Sequence, residues 1–388
     1  MSRPSCRLLV PAAILLVAIN LRPALASIGP LLDAIQRDTG LTDAGAGLLT
    51  TLPVALMGVS LLGTSQLKTL LGERVGVAAG LALILLACLC RWARPGASPL
   101  IVTAMLGGVG IAMVQALIPV MIRNWAGAGT ASVMGLYSTG IMGGALVSSA
   151  ASPWIAQGWG WHAALGVWAL PAVLGIAAWS AATSAAGSLE RTARHGAVYQ
   201  QSRAWLLLAF FGLGTGAYTL VLAWLPPFYT QLGWSAQEAG ALLGAVTLAE
   251  VIAGIAVSLW IDRSPDRRPA LSTAIGALLM GLLCLCLAPL PLAWPAALLA
   301  GLGIGALFPL SLIVAMDHCE NAVDAGTIVG FVQGGGYLLA ALLPLVAGVL
   351  RENLSNLTPA WQLMAALCLV LFFIAVRFRP SDRLSFHS

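Results

Sequence analysis

The chain has 388 residues, of which 59% are hydrophobic and only 9% charged, with a mean hydropathy of +0.93. No water-soluble fold hides that much apolar surface, so soluble enzymes and soluble binding modules are excluded. The net charge of +5 then reports membrane orientation rather than nucleic-acid binding.

Apolar runs of about 20 residues, long enough to cross a bilayer core as helix, recur between short polar or Gly/Pro-rich breaks. In chain order, spans are predicted at residues 8–32, 44–67, 75–90, 100–122, 130–155 and 162–182. The second half repeats the pattern at 204–229, 235–260, 270–290, 293–316, 325–350 and 361–376. Helices are required, because an open sheet edge in lipid leaves backbone groups unpaired. At the N-terminus Arg3, Arg7, an apolar stretch and Ala24-Leu25-Ala26 imitate a cleavable signal peptide. Arg22 and Pro23 intrude just before that site, and the internal repeat needs the segment, so it is read as the first span.

With both termini placed in the cytoplasm, fourteen of the 19 basic residues fall on the cytoplasmic side. Four (Arg37, Arg91, Arg94 and Arg351) fall outside, and Arg22 lies within a helix. This asymmetry predicts an N-in, C-in topology. The seven cysteines lie mostly in apolar helices and read as small apolar filler, with no disulfide framework. Cys88 and Cys90 point about 200° apart on a helix and cannot ligate one metal.

Laying the second half over the first at an offset of about 195 residues, half the chain, aligns similar features. Cys88 and Cys90 fall on Cys284 and Cys286, and Gly108 and Gly110 on Gly301 and Gly303. Turns at Gly40 and Gly233 precede matching helix starts at Thr42 and Ser235, and Ser235 to Glu238 has the spacing of a capping box. Two six-helix bundles follow, residues 1–184 and 204–388, joined by a polar cytoplasmic linker at 185–203. That is the major facilitator architecture, which works by alternating access around a midplane site.

Helix 1 carries Asn20-Leu21-Arg22-Pro23 and Gly29-Pro30-Leu31-Leu32, and helix 2 carries Leu48-Leu49-Thr50-Thr51-Leu52-Pro53. Helix 4 has Gly107 to Ile111 with Gln115 and Pro119, and helix 7 has Ala223-Trp224-Leu225-Pro226. Phe308-Pro309-Leu310, Asp317-His318 and Gln333-Gly334 follow. On these residues the chain resembles, over nearly its whole length, the bacterial cyanate transporter family with the related nitroimidazole transporters, within the major facilitator superfamily. The resemblance implies transport of a small monovalent anion, cyanate first, with no cofactor and no metal. It also implies that helices 1, 4, 5, 7, 10 and 11 line one cavity.

The sequence departs from the wider superfamily in its cytoplasmic motif between helices 2 and 3, reduced to Lys68, Gly72, Glu73 and Arg74. The counterpart in the second half keeps Asp262, Arg263, Asp266, Arg267 and Arg268. Arg74, Asp262, Arg263, Asp317 and His318 are read as a cytoplasmic gate or brace.

Polar side chains within spans are functional candidates by default. Arg22 lies roughly 21 Å into helix 1, Gln115 roughly 22 Å into helix 4, Tyr218 roughly 21 Å into helix 7 and Gln333 roughly 12 Å into helix 11. They share a level near the bilayer middle. A guanidinium, always protonated with five donors in a fixed fork, suits a small planar or linear anion. The competing role for Arg22 is bracing the Pro23 kink through helix-end carbonyls and Asn20, and the two are compatible.

The candidate binding set is Arg22, Asn20 as its orienter, Gln115, Tyr218, Trp224 as a cavity wall, and Gln333. Tyr137 and Tyr337 read as core packing. Glu250, roughly 22 Å into helix 8, is the one carboxylate near a helix middle and a candidate for carrying a co-transported proton. The partners expected are a small anion, membrane lipid and possibly that proton, with the chain acting as a monomer. A transporter of neutral or aromatic drug-like compounds such as nitroimidazoles is the first alternative. A membrane receptor is disfavoured because no sensory or signalling domain is attached, and an integral-membrane enzyme because the midplane set lacks an acid–base pair or nucleophile.

Overall fold

The protein is described here by a computed structural model. It describes residues 4–93, 95–126, 130–183, 198–264, 266–319 and 322–379, so most of the expected linker at 185–203 lies outside the described residues. Every extended element among them is helical.

In the first half these are α1 (Pro4–Ile19), α2 (Pro23–Ala26), α3 (Ile28–Thr39), α4 (Asp43–Leu62), α5 (Thr64–Trp92), α6 (Ala97–Ala126), α7 (Thr130–Gly166) and α8 (Ala169–Thr183). The second half contains α9 (Ser202–Gln231), α10 (Ala236–Trp260), α11 (Arg268–Leu287), α12 (Ala293–Asp317), α13 (Ala322–Ala340), α14 (Leu342–Leu354) and α15 (Thr358–Val376).

Among the described residues, ten helical stretches are long and apolar enough to cross a membrane, and the bent pair Val10–Ala26 and Ile28–Thr39, angled at 44°, forms another. One of the ten, Val133–Ala182, is 50 residues long. At 1.5 Å per residue that is more than twice a bilayer core of about 30 Å. Its backbone breaks at Gly160 (φ 83), where it serves two crossings. Twelve crossings result, in the predicted order, so the first and last described helices end on one face of the molecule. Gly72 (φ 69) turns the chain between the second and third crossings in the same way.

The sequence signals act where expected. Gly40 (φ 69) and Gly233 (φ 96) are left-handed turns. Thr42 caps α4 by accepting from the Gly45 amide at 3.1 Å, and Ser235 with Glu238 forms a complete capping box on α10. Cys88 is buried and Cys90 exposed, on opposite sides of α5.

Helix packing repeats with the sequence. A Cβ on Gly108 would lie 2.5 Å from Pro53 Cα, and one on Gly301 would lie 2.5 Å from the Val246 carbonyl oxygen. Gly110 meets Gly80 and Ile84 of α5, and Gly303 meets Ala274 and Leu278 of α11. In all four contacts the residue in the second half lies 193 or 194 positions after its counterpart. Without lipid-driven burial between helices, such close backbone approach is what holds a bundle together.

Candidate functional site

The site begins with a break in the first crossing. Residues 20–22 form a turn between α1 and α2, with the Asn20 and Leu21 amides tightening onto the Val17 and Ala18 carbonyls. Pro23 has no N–H to donate to the preceding turn, so the helical hydrogen-bond ladder is interrupted here. Arg22 is thereby placed at the start of α2, only 5% exposed.

The Arg22 guanidinium lies over the Tyr218 ring, its Cζ 5.2 Å from the centroid. Tyr337 is a hydrogen-bond neighbour, and Tyr137 and Glu250 also act on Arg22 electrostatically. The five groups come from the turn before α2 and from α7, α9, α10 and α13, so both halves of the chain contribute. Glu250 is 6% exposed, with its own backbone pressed against Gly305 of α12, where a Cβ would lie 2.3 Å from the Glu250 carbonyl oxygen.

Hydrogen bonding around this cluster is incomplete. Among the described residues, Arg22 Nε, Tyr137 Oη, Tyr218 Oη, Thr215 Oγ1 and Gln115 Oε1 are buried without a partner. Buried polar atoms are normally satisfied, and each one left open costs about 1–3 kcal/mol. Thr215 and Tyr218 lie three residues apart on one face of α9, and Gln333 lies one turn from Tyr337 on α13. The guanidinium can only donate, and the hydroxyls can donate as well as accept, so the cluster has the groups needed to hydrogen-bond an anion.

Of the expected binding set, the structure brings Tyr218 to Arg22, with Glu250 in electrostatic reach. It adds Tyr137 and Tyr337, which sequence reasoning assigned to the core because an aromatic ring on an apolar helix carries no mark of its neighbours. Gln115 and Gln333 are half-buried on α6 and α13. Asn20 does not orient Arg22. Its amide nitrogen donates to the Leu16 and Pro171 carbonyls at 2.6 and 3.0 Å, tying α1 to α8. Trp224 is fully buried, but its indole donates to the Pro344 carbonyl at 2.8 Å and its ring lies 5.5 Å from Arg351 Cζ. It belongs to the contacts near the face opposite the termini.

Arg91 corrects the orientation census. Counted as a loop cation, it is 1% exposed, because α5 stays helical to Trp92 before the Pro95-Gly96 break. Its Nη1 donates to the Ala24 carbonyl at 2.8 Å and its Nε to Thr103 Oγ1 at 3.0 Å. A helix-end brace at the helix 1 kink therefore exists, and Arg91 provides it.

Opposite the termini the two halves are latched. Arg351 lies 3.4 Å from Asp43 and 3.7 Å from Asp33, and Glu352 accepts from the Ala44 amide at 2.9 Å. Asp43, Arg351 and Glu352, with Gln36 and Gln231, line a cavity of about 430 Å³. Thr51 donates to the Ala341 carbonyl at 2.7 Å, and Gly47 and Gly240 meet backbone of the other half. The state is closed on that side.

On the face of the termini, Asp317 pairs with Arg267 at 2.8 Å, and Arg267 also donates to the Ile261 and Ser264 carbonyls. His318 is 3% exposed, with Nδ1 2.7 Å from the Val314 carbonyl oxygen and its ring edge-on to Phe378. Arg74 and Arg263 are exposed, and the Asp262 side chain lies outside the described ones.

Comparison with known proteins agrees with this architecture. The family model of the Major Facilitator Superfamily matches residues 14–327. The chain is 40% identical over 373 residues to the cyanate transport protein CynX of Escherichia coli, covering 95% of this chain and 96% of that one. It is 30% identical to the 2-nitroimidazole transporter of the same species over 375 residues, covering 94% of each. Among solved structures, a D-xylose-proton symporter superimposes with a TM-score of 0.79 at 12% identity, over 95% of this chain and 97% of that chain. The nucleoside transporter NupG gives 0.74 at 13% identity, over 95% and 99%. The chain is a multi-pass inner-membrane transport protein, not an enzyme, and it belongs to the major facilitator superfamily.

Proposed function

We propose that this protein carries a small monovalent anion, cyanate, across the membrane by alternating access, with Arg22 as its anchor. The observation that carries this reading is the buried, incompletely bonded Arg22 guanidinium, ringed by Tyr137, Tyr218 and Tyr337. The 40% identity to a cyanate transport protein supports the choice of anion. Gln115 and Gln333 complete the cavity, Arg351 with Asp33 and Asp43 forms one gate, and Arg267 with Asp317 and His318 braces the other face. Two six-helix bundles, 1–184 and 204–388, rock about this centre. In this reading the single chain is the transporting unit.

The test is a thermal-shift panel on the purified protein with cyanate, nitrate, bicarbonate, thiocyanate and 2-nitroimidazole. A ligand at 100 times its Kd stabilises by about 2.7 kcal/mol. Cyanate is expected to give the largest shift. A shift with 2-nitroimidazole alone moves the assignment to the aromatic-compound reading, which the 30% identical relative and the three tyrosine rings favour.

Both termini and the 185–203 linker are assigned to the cytoplasm. A reporter that is active only outside the cytoplasm, fused after Ser388, is expected to stay silent, and a strong signal would reverse the orientation.

The latch gives a third expectation. Arg351→Ala removes the ion pairs to Asp33 and Asp43 and the contact with Trp224, each worth about 0.2–1 kcal/mol. Spin labels at positions 37 and 356 are expected to show a new, longer-distance population in that variant. An unchanged distance distribution refutes Arg351 as the latch.

A further inference from the structure

We infer that Arg91 is a positioning residue for the Arg22 site, fixing the broken segment of helix 1 from which the anchor projects. The inference rests on the reading of Arg22 as the anion ligand. In the four-residue helix α2 every carbonyl belongs to the last turn, so none has an assured intrahelical donor. Lateral ties therefore set where this segment lies. Ser27 Oγ and its amide donate to the Pro23 carbonyl within the segment itself, whereas the Ala24 carbonyl takes a lateral 2.8 Å bond from Arg91 Nη1 of α5. Upstream of the break, Asn20 ties α1 to the Pro171 carbonyl. Both flanks of Arg22 are thus pinned to neighbouring helices, while Arg22 Nε between them is unbonded.

Arg91 is itself held in place. Thr103 Oγ1 accepts from Arg91 Nε and donates to the Leu100 carbonyl at 2.7 Å, so the start of α6 determines where the guanidinium points. The chain from Leu100 through Thr103 and Arg91 to Ala24 reaches within two residues of Arg22. Burying an arginine with neutral partners only is costly in a membrane protein. Fixing the geometry of a ligand-binding segment two residues away is a return for that cost that simple helix packing does not require. Sub-ångström to ångström placement decides how well a charged fork meets a small anion.

The experiment compares Arg91→Lys, Arg91→Gln and Thr103→Val with the parent full-length protein in detergent, using two readouts. The first is cyanate affinity of the folded, monodisperse fraction by calorimetry. The second is amide hydrogen exchange, which needs no ligand. Arg91→Lys keeps the buried charge but loses the fork. It is expected to bind cyanate about tenfold more weakly and to exchange faster at residues 20–27, with the other helices unchanged. Thr103→Val is expected to show the same pattern more weakly, and it serves as the folded variant if Arg91→Gln does not purify.

Parent-like affinity and exchange in Arg91→Lys, with loss only in Arg91→Gln, would mean that Arg91 acts through its charge, and the inference fails. Faster exchange spread over all helices in both Arg91 variants would mean a general stabilising role, and it fails likewise. If the parent itself binds no cyanate, the functional reading fails while local exchange at 20–27 still decides the positioning role.

Discussion

Arg22→Gln is expected to abolish transport while leaving a protein that folds as well as the parent. Charge-assisted hydrogen bonds are worth about 1.5–3 kcal/mol each, so losing two of them weakens anion binding by about 100-fold or more. Arg22→Lys keeps the charge but replaces a planar fork with a point charge, and it is expected to remain strongly impaired. The stability readout separates anchor from brace. Arg22 leaves Nε unbonded in the empty protein, so its removal relieves desolvation and leaves the apo thermal midpoint level or higher. Arg91→Gln removes bonds to the Ala24 carbonyl and Thr103, and it is expected to cost about 1–3 kcal/mol. Uptake of radiolabelled cyanate into proteoliposomes, with thermal midpoints of the empty proteins, checks both. Near-normal uptake by Arg22→Gln refutes the anchor. A large loss of apo stability in that variant would make Arg22 a brace instead.

These two arginines show where a sequence is readable and where it is not. The twelve crossings follow from apolar run lengths, and the turns at Gly40 and Gly233 follow from glycine where the backbone must turn left-handed. Both are properties of contiguous residues. The depth of Arg22 is likewise local, because Pro23 fixes the break and the rise per residue fixes the level. What a buried side chain touches is not local. Arg91 sits near the end of an apolar run and reads as a loop cation, and only the fold brings the Ala24 carbonyl and Thr103 to it. Tyr137 and Tyr337 look like core aromatics until the first crossing places a guanidinium between the bundles. Asn20 stands two residues before Arg22, yet a turn in the backbone sends its amide to α8 instead. Trp224, six residues beyond Tyr218, travels about 9 Å along α9 and joins the latch beside Arg351.

The largest effect outside Arg22 is expected at Glu250, which forms no hydrogen bond or ion pair among the described residues but lies in the electrostatic reach of Arg22 and Tyr218. An anion on Arg22 takes up the positive charge that otherwise offsets the carboxylate. Two negative charges and one positive charge in an apolar centre are costly, and a proton on Glu250 removes the excess. In this proposal anion and proton cross together as a neutral pair. The consequence is large, because a potential of 100 mV, inside negative, opposes a lone monovalent anion by about 2.3 kcal/mol, or about 50-fold in concentration. A neutral pair escapes that opposition, and an inward gradient of one pH unit supports about tenfold accumulation. In proteoliposomes the parent is therefore expected to accumulate cyanate when an inward proton gradient is imposed. Glu250→Gln is expected only to equilibrate it, with exchange of internal for external anion retained. Equal stimulation of both proteins by the gradient removes Glu250 as the coupling site, and stimulation of neither makes the protein a uniporter or an exchanger.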